Sequence, residues 1–196
     1  EISKTTGASF IHPYNDTHVI LGQGTACLEA LKQAAQIKVK PDVVLCGLGG
    51  GGIMAGTCVV ANSLLENPHC IGVEPEGAPA MQKSIAKDEN VVLSKIDTFI
   101  DGAAVRQVGE KTLEICKEGL DDMVLVPEGK VCSMILQLYN QEAIVVEPAG
   151  ALSLAALDFY KHEIKGKRVV CVVSGSNNDI TRTEEIKERS LLYEGI

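Results

Sequence analysis

The sequence has no tryptophan, no two cysteines close enough to form a C-x-x-C motif, no low-complexity stretch and no excess of positive charge. Each absence excludes a class of protein. The seven cysteines, at 27, 46, 58, 70, 116, 132 and 171, are never closer than 12 residues apart. An odd, scattered set in apolar contexts reads as reduced thiols serving as small core residues of a cytoplasmic protein, not as a disulfide scaffold. His12, His18, His69 and His162 have no ligand spacing with each other or with cysteine, which argues against a zinc site. Acidic residues outnumber basic ones by 26 to 18, and a net charge of −8 repels nucleic-acid phosphates and anionic membranes. No positively charged, apolar signal peptide opens the chain. It starts at Glu1 instead of methionine, in what reads as a helix end, which predicts a piece of a longer polypeptide.

What remains is an ordinary globular composition, with 45% hydrophobic and 22% charged residues. A chain of this length buries about two thirds of its unfolded surface. Val43 to Ala61 carries no charge and approaches a membrane span in length, but six glycines interrupt it. A buried strand, a loop and a buried helix fit that stretch better than one lipid-facing helix.

Valine- and isoleucine-rich runs alternate with amphipathic stretches, which predicts an α/β fold: an open, mostly parallel twisted sheet with helices on both faces. Strands are expected at Ala8–His12, Val43–Leu48, His69–Val73, Met123–Val126 and Val169–Val173. Helices are expected from Gln23 to Gln36, with Ala26, Leu28, Leu31 and Ala35 inward, and at Ile53–Leu65, Pro79–Lys87, Gly109–Glu118, Val131–Ala143, Ala149–His162 and Glu184–Leu191.

Between the second strand and its helix lies Cys46-Gly47-Leu48-Gly49-Gly50-Gly51-Gly52-Ile53. Four consecutive glycines are costly in any regular element, so something requires bare backbone there. Without Cβ atoms the chain can wrap an anion, aim several N–H groups at it and add the positive end of the next helix. The bland alternative is a tight, closely packed turn. No P-loop lysine or Ser/Thr follows, which argues against triphosphate hydrolysis. Gly47, Gly49 and Gly52 also match G-x-G-x-x-G, and Glu74 ends the next strand, so a domain binding NAD is a competing reading. A third is a non-catalytic assembly domain. The strand Val169–Val173 runs into Ser174-Gly175-Ser176-Asn177-Asn178-Asp179; ligands of open α/β sheets bind beyond strand carboxyl ends, so this loop and the glycine loop are expected at one crevice.

Gly22-Gln23-Gly24-Thr25, Gly49 to Gly52, Gly72-Val73-Glu74-Pro75, Asp101-Gly102, Glu147-Pro148-Ala149-Gly150-Ala151 and Ser174-Gly175-Ser176-Asn177 together resemble the fold type II pyridoxal-phosphate enzymes. Within them the series is most similar to threonine dehydratase (threonine ammonia-lyase); the all-glycine loop marks the dehydratase and serine racemase branch, and Val105–Gly109 with the tail Glu188–Gly195 resembles the biosynthetic form. The resemblance implies that pyridoxal 5'-phosphate lies with its phosphate on Gly49, Gly50, Gly51, Gly52 and Ile53, and with its pyridine nitrogen near Ser174; Gly102 and Glu147 are neighbours of that site. It implies β-elimination from L-threonine, with L-serine as a further candidate, to give 2-oxobutanoate and ammonia in isoleucine biosynthesis, in a homo-oligomer, dimer or tetramer.

The Schiff-base lysine of such enzymes lies in an N-terminal motif that this chain lacks; Lys4, Lys32, Lys38 and Lys40 read as solvated surface charges, so no catalytic residue is expected here and the fragment is expected to be inactive. Residues 1–190 would be most of the large cofactor-binding domain and 191–196 the start of a linker to a regulatory domain. Some relatives hold a divalent cation through a glutamate at the place of Glu74 and groups at the places of Ala78 and Ala80. The missing acid at Ala80 predicts no such metal site.

Overall fold

A computed structural model describes residues 2–196. Its centre is a four-stranded parallel sheet in the order β3-β2-β1-β4, formed by β1 (Val43–Gly47), β2 (His69–Pro75), β3 (Asp122–Val126) and β4 (Val169–Val172). Val43 sits opposite His69 on one side and Val169 on the other. β1 is apolar throughout because both of its faces are covered. Val43 and Leu45 pack into one core with Ile135, Leu152 and Ile186, while Val44 and Cys46 pack into the other with Cys27, Met54 and Cys116.

The second of those layers is built by α2 (Thr17–Gln36), α3 (Gly52–Leu64), α4 (Ala80–Lys87) and α5 (Glu110–Gly119). The first is built mainly by α6 (Glu128–Glu142), the short α7 (Leu152–Ala155) and α9 (Thr183–Glu194); α1 (Ile2–Thr6) and α8 (Lys161–Ile164) are peripheral and bury no residue. α9 runs through position 190 and ends at Glu194. The crossovers from β1 and into β4 lie on opposite faces, so the loops that leave these two neighbouring strands diverge. That divergence opens the crevice.

Three expectations differ from the structure. Ala8–His12 is not a strand; Phe10 and Ile11 are exposed, and the His12 ring turns the chain by accepting hydrogen bonds at Nδ1 from Tyr14 N (3.3 Å) and Asn15 N (2.9 Å). The helix expected from Gln23 begins at Thr17, because the Asp16 carboxylate caps it by accepting from His18 N (2.8 Å) and Val19 N (3.2 Å). Its buried side is Ile20, Gly24, Cys27 and Leu31, so Leu31 alone of the expected inward set is fully buried. Gly24 is inside the helix because α2 crosses α3 backbone to backbone there: a Cβ on Gly24 would lie 3.0 Å from Gly56 O. Ala149–His162 is broken into 3-10 turns at Ala149–Ala151 and Ala156–Asp158 around α7, followed by α8. That segment lies against the sheet, where Ser153 Oγ donates to Val172 O at 2.7 Å.

All seven cysteines are unpaired, and burial pushes Cys46 up to about 12 and both Cys27 and Cys171 up to about 11. Those three thiols stay protonated, and the buried cysteines as a set act as small apolar side chains.

Candidate cofactor site

β1 ends at Gly47 at the sheet's centre, and α3 starts at Gly52, so the loop between them has only four residues in which to reverse the chain. Leu48 anchors it by donating N–H to Val73 O (2.8 Å). Gly51 completes the reversal at φ +93°, a conformation that side chains oppose. The loop is also tightly packed: a Cβ on Gly49 would lie 2.8 Å from Ala103 Cα, one on Gly51 2.8 Å from Thr112 Cβ, and one on Gly50 would run into the Tyr14 ring. The loop therefore meets the bland reading of a closely packed turn, and its backbone donors are a separate matter.

The hydrogen-bond ledger separates the two. Among the described residues, the carbonyls of Gly50 and Gly51 have donors, Thr112 Oγ1 (2.7 Å) and Ala55 N (2.8 Å) respectively, yet the amides of Gly49, Gly50, Gly51, Gly52 and Ile53 donate to no group of the chain. Groups of this kind are nearly always satisfied in folded proteins. Five successive free N–H groups at the amino end of a 13-residue helix form a receptor for negative charge.

These residues line a cavity of about 290 Å³ together with Gly47, Gly102, Ala103, Glu147, Ala149 and Ser174. The sequence-predicted residues Gly49, Gly50, Gly51, Gly52, Ile53, Gly102, Glu147 and Ser174 thus meet at one place. Ser174 follows β4, is exposed, and its hydroxyl makes no hydrogen bond among the described residues. Glu147 is half-buried; its N–H donates to Gly175 O (3.0 Å), its carbonyl accepts from Gly150 N (3.0 Å), and its carboxylate lies against Gly102 and Gly175. The site joins an amide cradle on one side to a free hydroxyl and a carboxylate on the other.

Pro13, Tyr14 and Gln23 also line the cavity and were not among the expected site residues. They come from the stretch before α2 and from its second turn; Gln23 falls within one of the motifs that carry the resemblance, and no local pattern marks Pro13 or Tyr14. Among the described residues no lysine lines the cavity, and Lys40 is paired with Glu66 (3.0 Å) at the surface.

Glu74 does not enter the cavity. It is fully buried, and its carboxylate accepts from Met81 N (2.7 Å) and Gln82 N (2.9 Å) at the start of α4. Burial pushes it up to about 7 against the opposing pull of those amides. A carboxylate so engaged cannot hold a ribose hydroxyl, which removes the main support for the dinucleotide reading.

A crevice with an amide cradle at the switch point of a parallel sheet defines a phosphate-cofactor-binding α/β domain. The family described as pyridoxal-phosphate dependent enzyme matches residues 1–175, and the chain belongs to that family. It is 52% identical over 188 residues to the L-threonine dehydratase biosynthetic IlvA of Halalkalibacterium halodurans, covering 96% of this chain and 45% of that protein. To its namesake in Bacillus subtilis it is 48% identical over 196 residues, covering 100% and 46%. Among solved structures it is similar to the processed form of threonine deaminase isoform 2 from Solanum lycopersicum, at 35% identity and a TM-score of 0.89, covering 97% of this chain and 52% of that one. The chain spans about half the length of the relatives it matches.

Proposed function

We propose that this chain forms the phosphate- and ring-binding half of a threonine ammonia-lyase of the biosynthetic type. The observation that carries the reading is the row of free amides from Gly49 to Ile53 lining one cavity with Ser174. A dianionic phosphate matches that row in charge and in its demand for several donors. The relatives named threonine dehydratase supply the substrate class.

When bound, pyridoxal phosphate supplies an electron sink for charge developing at the substrate's Cα. The residues of this chain set the conditions for that chemistry. Gly49 to Ile53 anchor the phosphate by backbone N–H donation, with the positive end of α3 behind them. The Ser174 hydroxyl would offer the pyridine nitrogen a neutral partner, which would keep the ring less positively charged than a carboxylate partner would. Glu147 and Gly102 also line the cavity.

No lysine of the described chain lines the cavity, so the proton-moving amine comes from outside these 196 residues. Residues 1–190 are then most of the large catalytic domain. Seven unpaired cysteines support a reducing, cytoplasmic setting, and exposed Leu21, Val59 and Leu64 on α2 and α3 support a homo-oligomer. The test is to assay the full protein with L-threonine and with L-serine. Formation of 2-oxobutanoate is expected, with none from the 196 residues alone; a full protein that releases no 2-oxoacid contradicts the assignment.

A further inference from the structure

The glycine loop is held from two sides by residues that no motif identifies. Thr112, buried in the first turn of α5, has one hydroxyl proton and two acceptors, Gly50 O at 2.7 Å and Gly109 O at 3.1 Å, of which Gly50 O is the nearer; Gly109 N approaches the same Gly50 carbonyl at 3.4 Å. Peptide planarity then fixes the next group: the Gly51 N–H lies anti to the Gly50 carbonyl, so holding that carbonyl toward α5 turns the Gly51 amide away from it. The Tyr14 ring packs directly against Gly50, where a Cβ would collide with it.

Tyr14 is itself fixed. Its hydroxyl donates to Gln107 O (3.2 Å), its ring meets His12 edge-on at 4.5 Å between centroids, and the next residue, Asn15, accepts from Lys111 N at 2.9 Å. The strap before α2 and the first turn of α5 thus close on one peptide.

Resting on the reading that this cavity takes a phosphate, we propose that Thr112 and Tyr14 are positioning residues that clamp the Gly50 peptide and hold the Gly51 amide in the orientation that receives the anion. Neither is a catalytic residue. The effect of Thr112 is confined to ligands that carry the phosphate; Tyr14 also lines the cavity, so its removal acts on the phosphate preference together with any contact to the ring.

The test compares the affinity of the full protein for pyridoxal phosphate and for pyridoxal, read by cofactor fluorescence. The wild type is expected to prefer the phosphorylated form. Thr112→Val, which keeps the shape and removes the donor, is expected to lower that preference about tenfold while leaving pyridoxal affinity unchanged, and Thr112→Ser is expected to restore it. Tyr14→Ala is expected to act in the same direction and, in combination, to relieve Gly50→Ala, whose new methyl meets the ring; this half-buried position gives a readout even if Thr112→Val does not fold. Wild-type preference for the phosphate retained in full by both Thr112→Val and Tyr14→Ala overturns the clamp alone. A wild type with no preference overturns the cavity reading and the clamp together.

Discussion

The two ends of the sheet treat their polar groups in opposite ways. At the amino ends of the strands, Asp42 accepts from Arg168 through Nε (2.9 Å), NH2 (2.7 Å) and the backbone N (2.8 Å). Nearby, Tyr160 donates to Asp122 (2.5 Å) with His69 Nε2 within 3.2 Å, and Asp121 accepts from Cys70 N (2.7 Å). At the carboxyl ends five amides and the Ser174 hydroxyl have no partner within the described chain. The satisfied end closes the fold, and the unsatisfied end offers the donors that the proposed cofactor would take up.

Substitutions at the two ends sharpen that contrast. The largest effect is expected for Gly51→Ala, which forces a side chain into φ +93° and against Thr112. Stability should fall by about 2–4 kcal/mol in denaturant unfolding, and pyridoxal phosphate affinity by at least about 100-fold.

Next is Glu74, whose folded-state value of about 7 stands above its ordinary 4.5. The native state therefore holds a proton that the unfolded chain gives up. Its contribution is complete below about pH 4.5 and is lost as pH rises toward 7, a change of about 3 kcal/mol. Glu74→Gln should flatten stability over that interval, as measured by unfolding at successive pH values. An unchanged slope would place the buried charge elsewhere.

Smaller still is Asp42→Asn at the satisfied end. Arg168 holds the Asp42 carboxyl down at about 2, so its stabilisation is present above the usual carboxylate range and lost as pH falls toward 2. This exposed pair should cost only a slight drop in Tm, with cofactor affinity untouched. Last comes Ser174→Ala, expected to move stability by no more than about 0.5 kcal/mol while lowering turnover of the full protein; a stability loss instead would make Ser174 a structural residue.

The parts of the site legible in the sequence are those whose signal is local. An apolar strand, four glycines and a helix start adjoin in one segment, and Ser174 ends a second apolar strand. Tyr14 and Thr112 were illegible because they reach their partners over separations of 93 and 62 residues. The early start of α2 was hidden because local propensity opposes Gly22 in a helix, whereas the Asp16 cap places the helix start upstream of it. The expected strand at Ala8–His12 failed because a short apolar run makes a strand only where a neighbour pairs with it, and here the His12 ring bends the chain first.

The free amides of the glycine loop carry the proposed function. Titrating the isotope-labelled protein with pyridoxal phosphate while following backbone amide resonances tests it directly. The account predicts large shifts at Gly49, Gly50, Gly51, Gly52 and Ile53 that pyridoxal without its phosphate does not reproduce. Unmoved resonances at these five positions while the cofactor binds elsewhere would contradict it.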